Sequence, residues 1–449
     1  MEKSPSPSLL PPPGAARPVL VGFSGGLDST VLLHLLHLLA SAPSTLHRGL
    51  RAIHVHHGLQ PQADAWARHC QSVCADWSIP LQIVRVDVDR AGGAGPEAAA
   101  RSARHAAFAA ELRADEVLAL AHHRDDQAET FLLRALRASG PDGLAAMRPW
   151  RRHGRGWLWR PLLALPRSEL LTHAQRHGLR WIEDPSNGDS APDRNFLRHE
   201  VLPLLQRRWP QVNAAFARSA TLSAAAADLL DDEDARALAG ARGDDLQLLD
   251  VDALLLLPAA RRARVLRRWI EACKLPPLPA TGIDRIEADL LQAAPDDEAR
   301  FAWSRAVVRR WRNLLHAGRQ RAALAPGWQC QWDGRAPLPL PDGGLLLLEG
   351  AAGFDDMMVV HARRGGERIA LPGRKHSHAL KHILQDAGMP PWQRERLPLL
   401  STADCRLLAA GDRIVSTDLA QWLRARDARL AWSDTQHDGA PAGHGSPAH

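Results

Sequence analysis

Six consecutive residues, Ser24-Gly25-Gly26-Leu27-Asp28-Ser29, carry the strongest chemical signal in the chain. They follow a short apolar run and precede a stretch of helical periodicity. Two glycines let a backbone turn tightly and approach an anion without Cβ interference. The helix that follows offers unpaired N–H groups and the positive end of its dipole. Ser24 and Ser29 add hydroxyl donors. Asp28 is out of place in a phosphate cradle, because a carboxylate repels phosphate. Mg²⁺ removes the conflict, since it takes oxygen ligands from a carboxylate and from phosphates together. The loop lacks the Gly-Lys-Ser/Thr of a Walker A motif and does not match GxGxxG. The competing structural reading is a strand-to-helix turn capped by a serine.

A second acidic stretch runs from His122 to Thr130, His-His-Arg-Asp-Asp-Gln-Ala-Glu-Thr. With a helix beginning near Asp125, Asp126 and Glu129 lie three apart and share one face. Acids in a first turn also suit the helix dipole, which is the structural reading. The chemical reading is a carboxylate pair able to hold an amine, accept its proton or bind metal. Adjacent histidines at a strand end point opposite ways, which argues against His122 and His123 as a metal pair. Glu97, Arg101 and Arg104 recur at i, i+4 and i+7, on one face of an Ala-rich helix.

The elements that must position these residues alternate. Strands are expected over 18–23, 51–56, 81–86 and 116–121, and helices over 27–39, 64–77, 96–112 and 125–138. That alternation implies a doubly wound parallel sheet, with ligands beyond the carboxyl ends of the strands. Both chemical loops fall there. A β-like segment over 157–163, a helix over 167–177 and a helix running to residue 205 close the first domain.

The 449 residues imply two or three domains. The expected boundaries are a disordered Pro/Ser-rich tail over 1–17, a nucleotide-binding domain over 18–213 and a helical domain over 214–320. A small α+β domain over 325–432 and a Gly/Pro/His-rich tail over 433–449 complete the chain. Five scattered cysteines without a CxxC pair argue against a disulfide framework or a zinc quartet, and for a reducing compartment. No apolar run approaches the ~20 residues of a membrane span. A cytoplasmic protein without membrane attachment is the expectation.

The Ser24–Ser29 string resembles the PP-loop of the ATP pyrophosphatases, a superfamily that includes tRNA thiolases and the GMP, NAD and asparagine synthetases. The second string narrows this. With Phe131-Leu-Leu-Arg134 and Ser139-Gly140, it resembles the signature of the tRNA(Ile)-lysidine synthetase family. Agreement extends to Glu97-Ala-Ala-Ala-Arg101-Ser-Ala-Arg104, to Glu183-Asp-Pro-Ser-Asn187 and to Arg194-Asn-Phe-Leu-Arg198. The resemblance covers roughly residues 17–430. It departs at His105, where the family usually has Tyr, at Ala138, where Gly is common, and at Arg124.

The resemblance implies a two-step ligase that uses ATP and Mg²⁺. The wobble cytidine of the isoleucine tRNA with a CAU anticodon is adenylated at O2, and free lysine then displaces AMP from C2. The lysidine formed changes charging from methionine to isoleucine. Carried onto this sequence, residues 24–29 bind ATP and Asp28 holds Mg²⁺. Asp126 accepts the amine proton, Glu129 assists, and Arg101 pairs with the lysine carboxylate. Arg104 and Arg198 are further lysine or tRNA contacts, and a homodimer is the assembly the family suggests.

Residues 361–400 hold eight cationic residues against three acids, an excess of five that nearly equals the chain's net +6. With Trp392 interspersed, such a patch suits an RNA backbone with one base stacked on the indole. A solvated face fits the charge count equally well. The strings around Arg363, Arg374, Lys381 and Trp392 resemble the family's last domain, which contacts the tRNA acceptor region. A cluster at Arg148, Arg151, Arg152, Arg155 and Arg160 contains no acid and is expected on the anticodon side. Two rivals remain at this stage: a tRNA thiolase, for which Cys70 and Cys74 are the only close cysteine pair, and a non-catalytic RNA-binding protein.

Overall fold

A computed structural model describes residues 9, 17–40, 47–58, 61–87, 96–188, 191–243, 245–294, 299–374 and 376–433. Nearly all of both expected tails lies outside them. The chain divides into two compact units, residues 1–236 and 237–449.

The first unit is built on a six-stranded sheet. Its strands are β1 (Arg17–Gly22), β2 (His47–His56), β3 (Leu81–Arg85), β4 (Val117–Ala119), β5 (Trp150–His153) and β6 (Gly156–Trp159), in the order β3-β2-β1-β4-β6-β5. All neighbours are parallel except the β5–β6 hairpin. Helices α1 (Leu27–Ala40), α2 (Ala63–Asp76), α3 (Pro96–Glu111) and α4 (Arg124–Leu136) connect the strands. Val19, Leu20 and Val21 are buried on both faces of β1, as a central parallel strand requires. The strand order reverses between β1 and β4. Side chains leaving the ends of those two strands therefore open onto the crevice where ligands bind in such sheets.

The rest of this unit comprises α5 (Pro141–Leu144), α6 (Arg167–Arg176), α7 (Asp193–Phe196), a π-helical turn (Leu197–Val201), α8 (Leu202–Arg208) and all but the last residues of α9 (Val212–Ala241). The β-like signal at 157–163 is split, because the chain turns after Trp159 into a loop rather than continuing as strand.

Helices α1 and α6 meet through histidines. His34 Nδ1 lies 3.0 Å from His173 Nε2, and the His177 ring centroid is 4.4 Å from that of His173. Burial, then repulsion by His173, His177 and His37, pulls the pKa of His34 down to about 4. Burial, His177 and Arg176 do the same to His173. Both rings are neutral in the fold, whereas unfolded histidine takes a proton near 6.5. The stabilisation is complete above about pH 6.5 and is lost as pH falls towards 4. Urea titrations are expected to show on the order of 2 kcal/mol lost from this pair between about pH 7 and 5. His173→Leu should flatten that dependence.

The second unit opens with a four-stranded antiparallel sheet of β7 (Leu248–Asp250), β8 (Arg300–Trp303), β9 (Ala306–Trp311) and β10 (Leu314–Arg319), ordered β7-β10-β9-β8. Helices α10 (Val251–Leu255), α11 (Ala259–Ala272) and α12 (Ala280–Arg285) accompany it. On α11, Val265, Leu266, Trp269 and Ile270 are buried, a stripe at helical spacing. The stretch 214–320, expected to be helical, thus also carries a sheet. Its strands are only three to six residues long, too short to show a clear alternation.

Beyond it, β11 (Gln329–Trp332), β14 (Met358–His361), β17 (Leu399–Ser401), β18 (Leu407–Ala410) and β19 (Ile414–Val415) form an antiparallel sheet. Two smaller sheets pair β12 (Leu338–Pro339) and β20 (Arg429–Ser433) with β13 (Leu345–Glu349), and β15 (Arg368–Ile369) with β16 (His378–Ala379). Helices α13 (Leu380–Asp386), α14 (Pro391–Arg394) and α15 (Thr417–Ala425) complete an α+β arrangement.

Candidate active site

The loop after β1 is shaped by its own polar groups. Gly25 has φ +83°, and a Cβ there would lie 2.9 Å from Ile182 Cδ1 and 3.0 Å from Cys70 Sγ. Only glycine fits both constraints. The backbone N–H of Ile182 donates to the carbonyl of Gly25 at 2.8 Å, so the 180–188 loop seats directly on the glycines. The Ser24 and Ser29 hydroxyls lie 3.0 Å apart, and Thr30 donates to the Gly26 carbonyl at 2.9 Å. The cradle is therefore held open from the inside, with α1 beginning at Leu27.

The loop after β4 ends in His123, the N-cap of α4. Its Nδ1 accepts from the backbone N–H groups of Asp125 (3.2 Å) and Asp126 (3.4 Å), while Asp126 Oδ2 accepts from the His123 N–H at 3.1 Å. This reciprocal cap fixes the first turn of α4. It also turns Nε2 towards two carboxylates, 3.6 Å from Asp28 Oδ2 and 3.5 Å from Asp126 Oδ2. Burial opposes a charge on this ring, but Asp126, Asp28 and Asp125 outweigh it and raise its pKa. One imidazole thus joins the phosphate loop to the acidic helix.

Asp126 and Glu129 face the same way, as their spacing predicts, and two arginines clamp them. Arg194 donates to Glu129 at 2.7 Å and to Asp126 at 3.0 Å. Arg198 donates to Glu129 at 2.6 Å and to Asp126 at 3.3 Å. Glu129 is only 1% exposed, so an unpaired charge there would be costly, and the two guanidinium groups compensate it. Burial pushes the Asp126 pKa up, but His123, Arg194 and His122 pull it down to about 2. Such a carboxylate anchors a cation and accepts a proton poorly. The role of proton acceptor read for Asp126 from sequence therefore first requires the arginines to release it.

Sequence reading missed Arg194 and the bridging role of His123. Arg194 belongs to the same string as Arg198, and the i, i+4 spacing of the two was the available signal. Arg101 lies within electrostatic reach of His122, Arg160 and His105, and Arg104 within reach of His57 and His105. Asp125 does not face the carboxylate pair. It accepts from Arg167 N at 2.8 Å and from the Asn213 side chain, tying α4 to α6 and α9.

Cys70 and Cys74 offer no thiolate. Burial, and Cys74 beside it, pushes the Cys70 pKa up to about 12, and burial pushes Cys74 up to about 11. The double replacement by Ala is expected to keep nucleotide chemistry within about twofold while costing roughly 2–3 kcal/mol of stability. Melting curves and turnover measured side by side check both halves.

In the second unit the basic region is thinner than its composition implies. Arg396 is buried and pairs with the fully buried Asp342 at 2.8 Å. Arg363 faces Glu367 at 3.8 Å, and Arg394 donates to the Met389 carbonyl. Arg374 and Lys381 are exposed. The Trp392 ring carries Arg309 at 5.1 Å from its centroid, so its stacking surface is shared with a guanidinium.

Three known family models match stretches of this chain. A PP-loop domain model matches residues 8–205, a TilS substrate binding domain 249–316, and a TilS substrate C-terminal domain 358–432. A tRNA(Ile)-lysidine synthase of Xanthomonas axonopodis pv. citri is 57% identical, over 94% of this chain and 96% of that one. The chain belongs to the tRNA(Ile)-lysidine synthase family. Other tRNA(Ile)-lysidine synthases support the assignment at greater distance. That of Xylella fastidiosa is 53% identical over 96% of this chain and 97% of its own. That of Yersinia pseudotuberculosis is 42% identical over 89% and 92%. Among the described residues, no helix is long and apolar enough to cross a membrane.

Proposed function

We propose that this chain ligates free lysine to C2 of the wobble cytidine of isoleucine tRNA with a CAU anticodon, using ATP. The observation that carries this reading is the single imidazole, His123, in contact with both Asp28 and Asp126. ATP occupies the cradle of residues 24–29, with its phosphates on the N–H groups at the start of α1. The cytidine O2 attacks the α-phosphate and pyrophosphate leaves. Once the arginines release Asp126, that carboxylate takes the proton of the lysine ammonium, the neutral ε-amine attacks C2, and AMP leaves with the O2 oxygen. Asp126 and Glu129 already hold two cationic side chains, so they suit an ammonium group that takes an arginine's place. Arg101, within electrostatic reach of His122, pairs with the lysine carboxylate.

Asp28 Oδ1 is buried without a hydrogen-bond partner, and it is a hard oxygen donor beside the phosphate loop. It fits Mg²⁺, which when bound would neutralise charge building on the phosphates. Arg104, Arg198, Arg363, Arg374, Lys381 and Trp392 are read as tRNA or lysine contacts. The nucleotide-binding, helical and C-terminal segments act as three functional domains, in a homodimer working in the cytoplasm. Incubation with ATP, labelled lysine and bulk tRNA, followed by nucleoside analysis, tests the reading. Label in lysidine supports it, and pyrophosphate release indifferent to lysine and tRNA refutes it.

A further inference from the structure

Arg160 is 5% exposed, yet it meets no carboxylate among the described residues. Its Nε donates to His122 Nδ1 at 3.2 Å and its Nη1 to the Arg148 carbonyl at 2.6 Å. Its charged neighbours are Arg151 and Arg101, and burial with these two cations draws its pKa down to about 10, still charged at neutral pH. A buried cation without a counter-ion is costly. Stability therefore does not account for it, and its position does. Arg160 directly follows β6 and His122 lies just past β4. These strands pair in parallel with Ala119 opposite Trp159, so both side chains emerge at the carboxyl edge of the sheet. The loop of residues 24–29 follows β1, the other neighbour of β4.

We propose that Arg160 is a positioning residue that fixes His122 as the neutral Nε2–H tautomer, and that this N–H donates to a phosphoryl oxygen of the adenylated substrate. A guanidinium has donors only, so the nitrogen that accepts from it must be bare and the ring proton must sit on Nε2. Nε2 has no hydrogen bond among the described residues, and the ring is half-buried. The groups facing His122 are Asp126 from α4, Arg160 after β6, Arg194 from α7 and Arg101 from α3. Burial with the three cations outweighs Asp126, and the ring stays uncharged. A preorganised neutral donor stabilises negative charge growing on oxygen without itself losing a proton. His123, the next residue, caps α4 and turns its Nε2 to Asp28 and Asp126. The two histidines thus divide the work, one building the helix and one facing the reactants.

This inference rests on the proposed ligase reading, and its test separates the two. Imidazole ¹⁵N spectra of the full chain, with His122 assigned by its loss in His122→Asn, should show a bare Nδ1 and a protonated Nε2 throughout about pH 6–8. In Arg160→Met the neutral ring should populate both tautomers, and Arg160→Lys should restore the bare Nδ1. Single-turnover transfer of AMP to tRNA should fall roughly a hundredfold in Arg160→Met and His122→Phe. His122→Asn, which keeps an amide donor, should stay within about tenfold, with KM for ATP and lysine unchanged. A wild-type His122 titrating near its ordinary value, or an Arg160→Met rate within about twofold of wild type, would overturn the proposal. A wild-type chain that transfers no AMP to tRNA would sink the ligase reading instead, and the tautomer spectra, which need no substrate, would still decide the Arg160–His122 pair.

Discussion

Replacing Asp126 by Ala is expected to lower lysine incorporation by roughly a thousandfold or more. The carboxylate has two duties. In the proposed reaction it is one half of the pair that holds the incoming ammonium, and in the fold it closes the N-terminal cap of α4 by accepting the His123 N–H. Its loss also leaves Arg194 and Arg198 leaning on Glu129 alone. A stability cost of about 3 kcal/mol follows from breaking a buried ionic cluster and a cap. Asp126→Asn separates the duties, because its amide oxygen still accepts at the cap while the charge is gone. It should remain folded, adenylate tRNA and stall there, with the adenylated tRNA persisting in the presence of lysine. Lysidine formation by either variant at near the wild-type rate would contradict the assignment of Asp126.

Asp28→Ala is the second large effect and has the opposite stability profile. Asp28 Oδ1 is buried without a hydrogen bond, with Arg167 3.6 Å from it, and His123 lies 3.6 Å from Oδ2. Removing such a group costs little, and melting temperatures should stay level or rise slightly. AMP transfer should nevertheless fall by about a hundred- to a thousandfold, with tRNA affinity retained. Chelation of Mg²⁺ should reduce the wild-type enzyme to a similar level and leave the variant unchanged. A variant that responds to Mg²⁺ as wild type does would place the metal elsewhere.

The parts of the fold that the sequence announced are those where one local rule acts alone. β1 is a run of apolar residues ended by Ser24-Gly25-Gly26, and the positive φ of Gly25 is what that dipeptide exists to supply. Asp126 and Glu129 share a face because three residues are nearly one helical turn. What stayed hidden depends on contacts between distant segments. Arg194 and Arg198 reach α4 from 65 to 72 residues away, and nothing local says which acid they meet. The sheet of β7 to β10 was masked by the shortness of its strands, three to six residues each, with Arg309 and Arg310 interrupting the apolar run of β9. Composition overstated the basic patch because it cannot see Asp342 buried against Arg396. His122 and His123, adjacent in the chain, bond different partners, Arg160 for the one and the first turn of α4 for the other. The sequence could not say that one would cap a helix while the other accepted a bond from an arginine.

The central claim is that one crevice holds an activated cytidine and a lysine amine in turn. The most direct test is a chase with ATP labelled in its α-phosphate and an isoleucine tRNA bearing the CAU anticodon. Without lysine, label should move onto the tRNA, and a transcript with uridine at the wobble position should take none. Added lysine should release that label as AMP as lysidine appears. Label that never reaches the tRNA, or that leaves it at the same rate without lysine, would contradict the account.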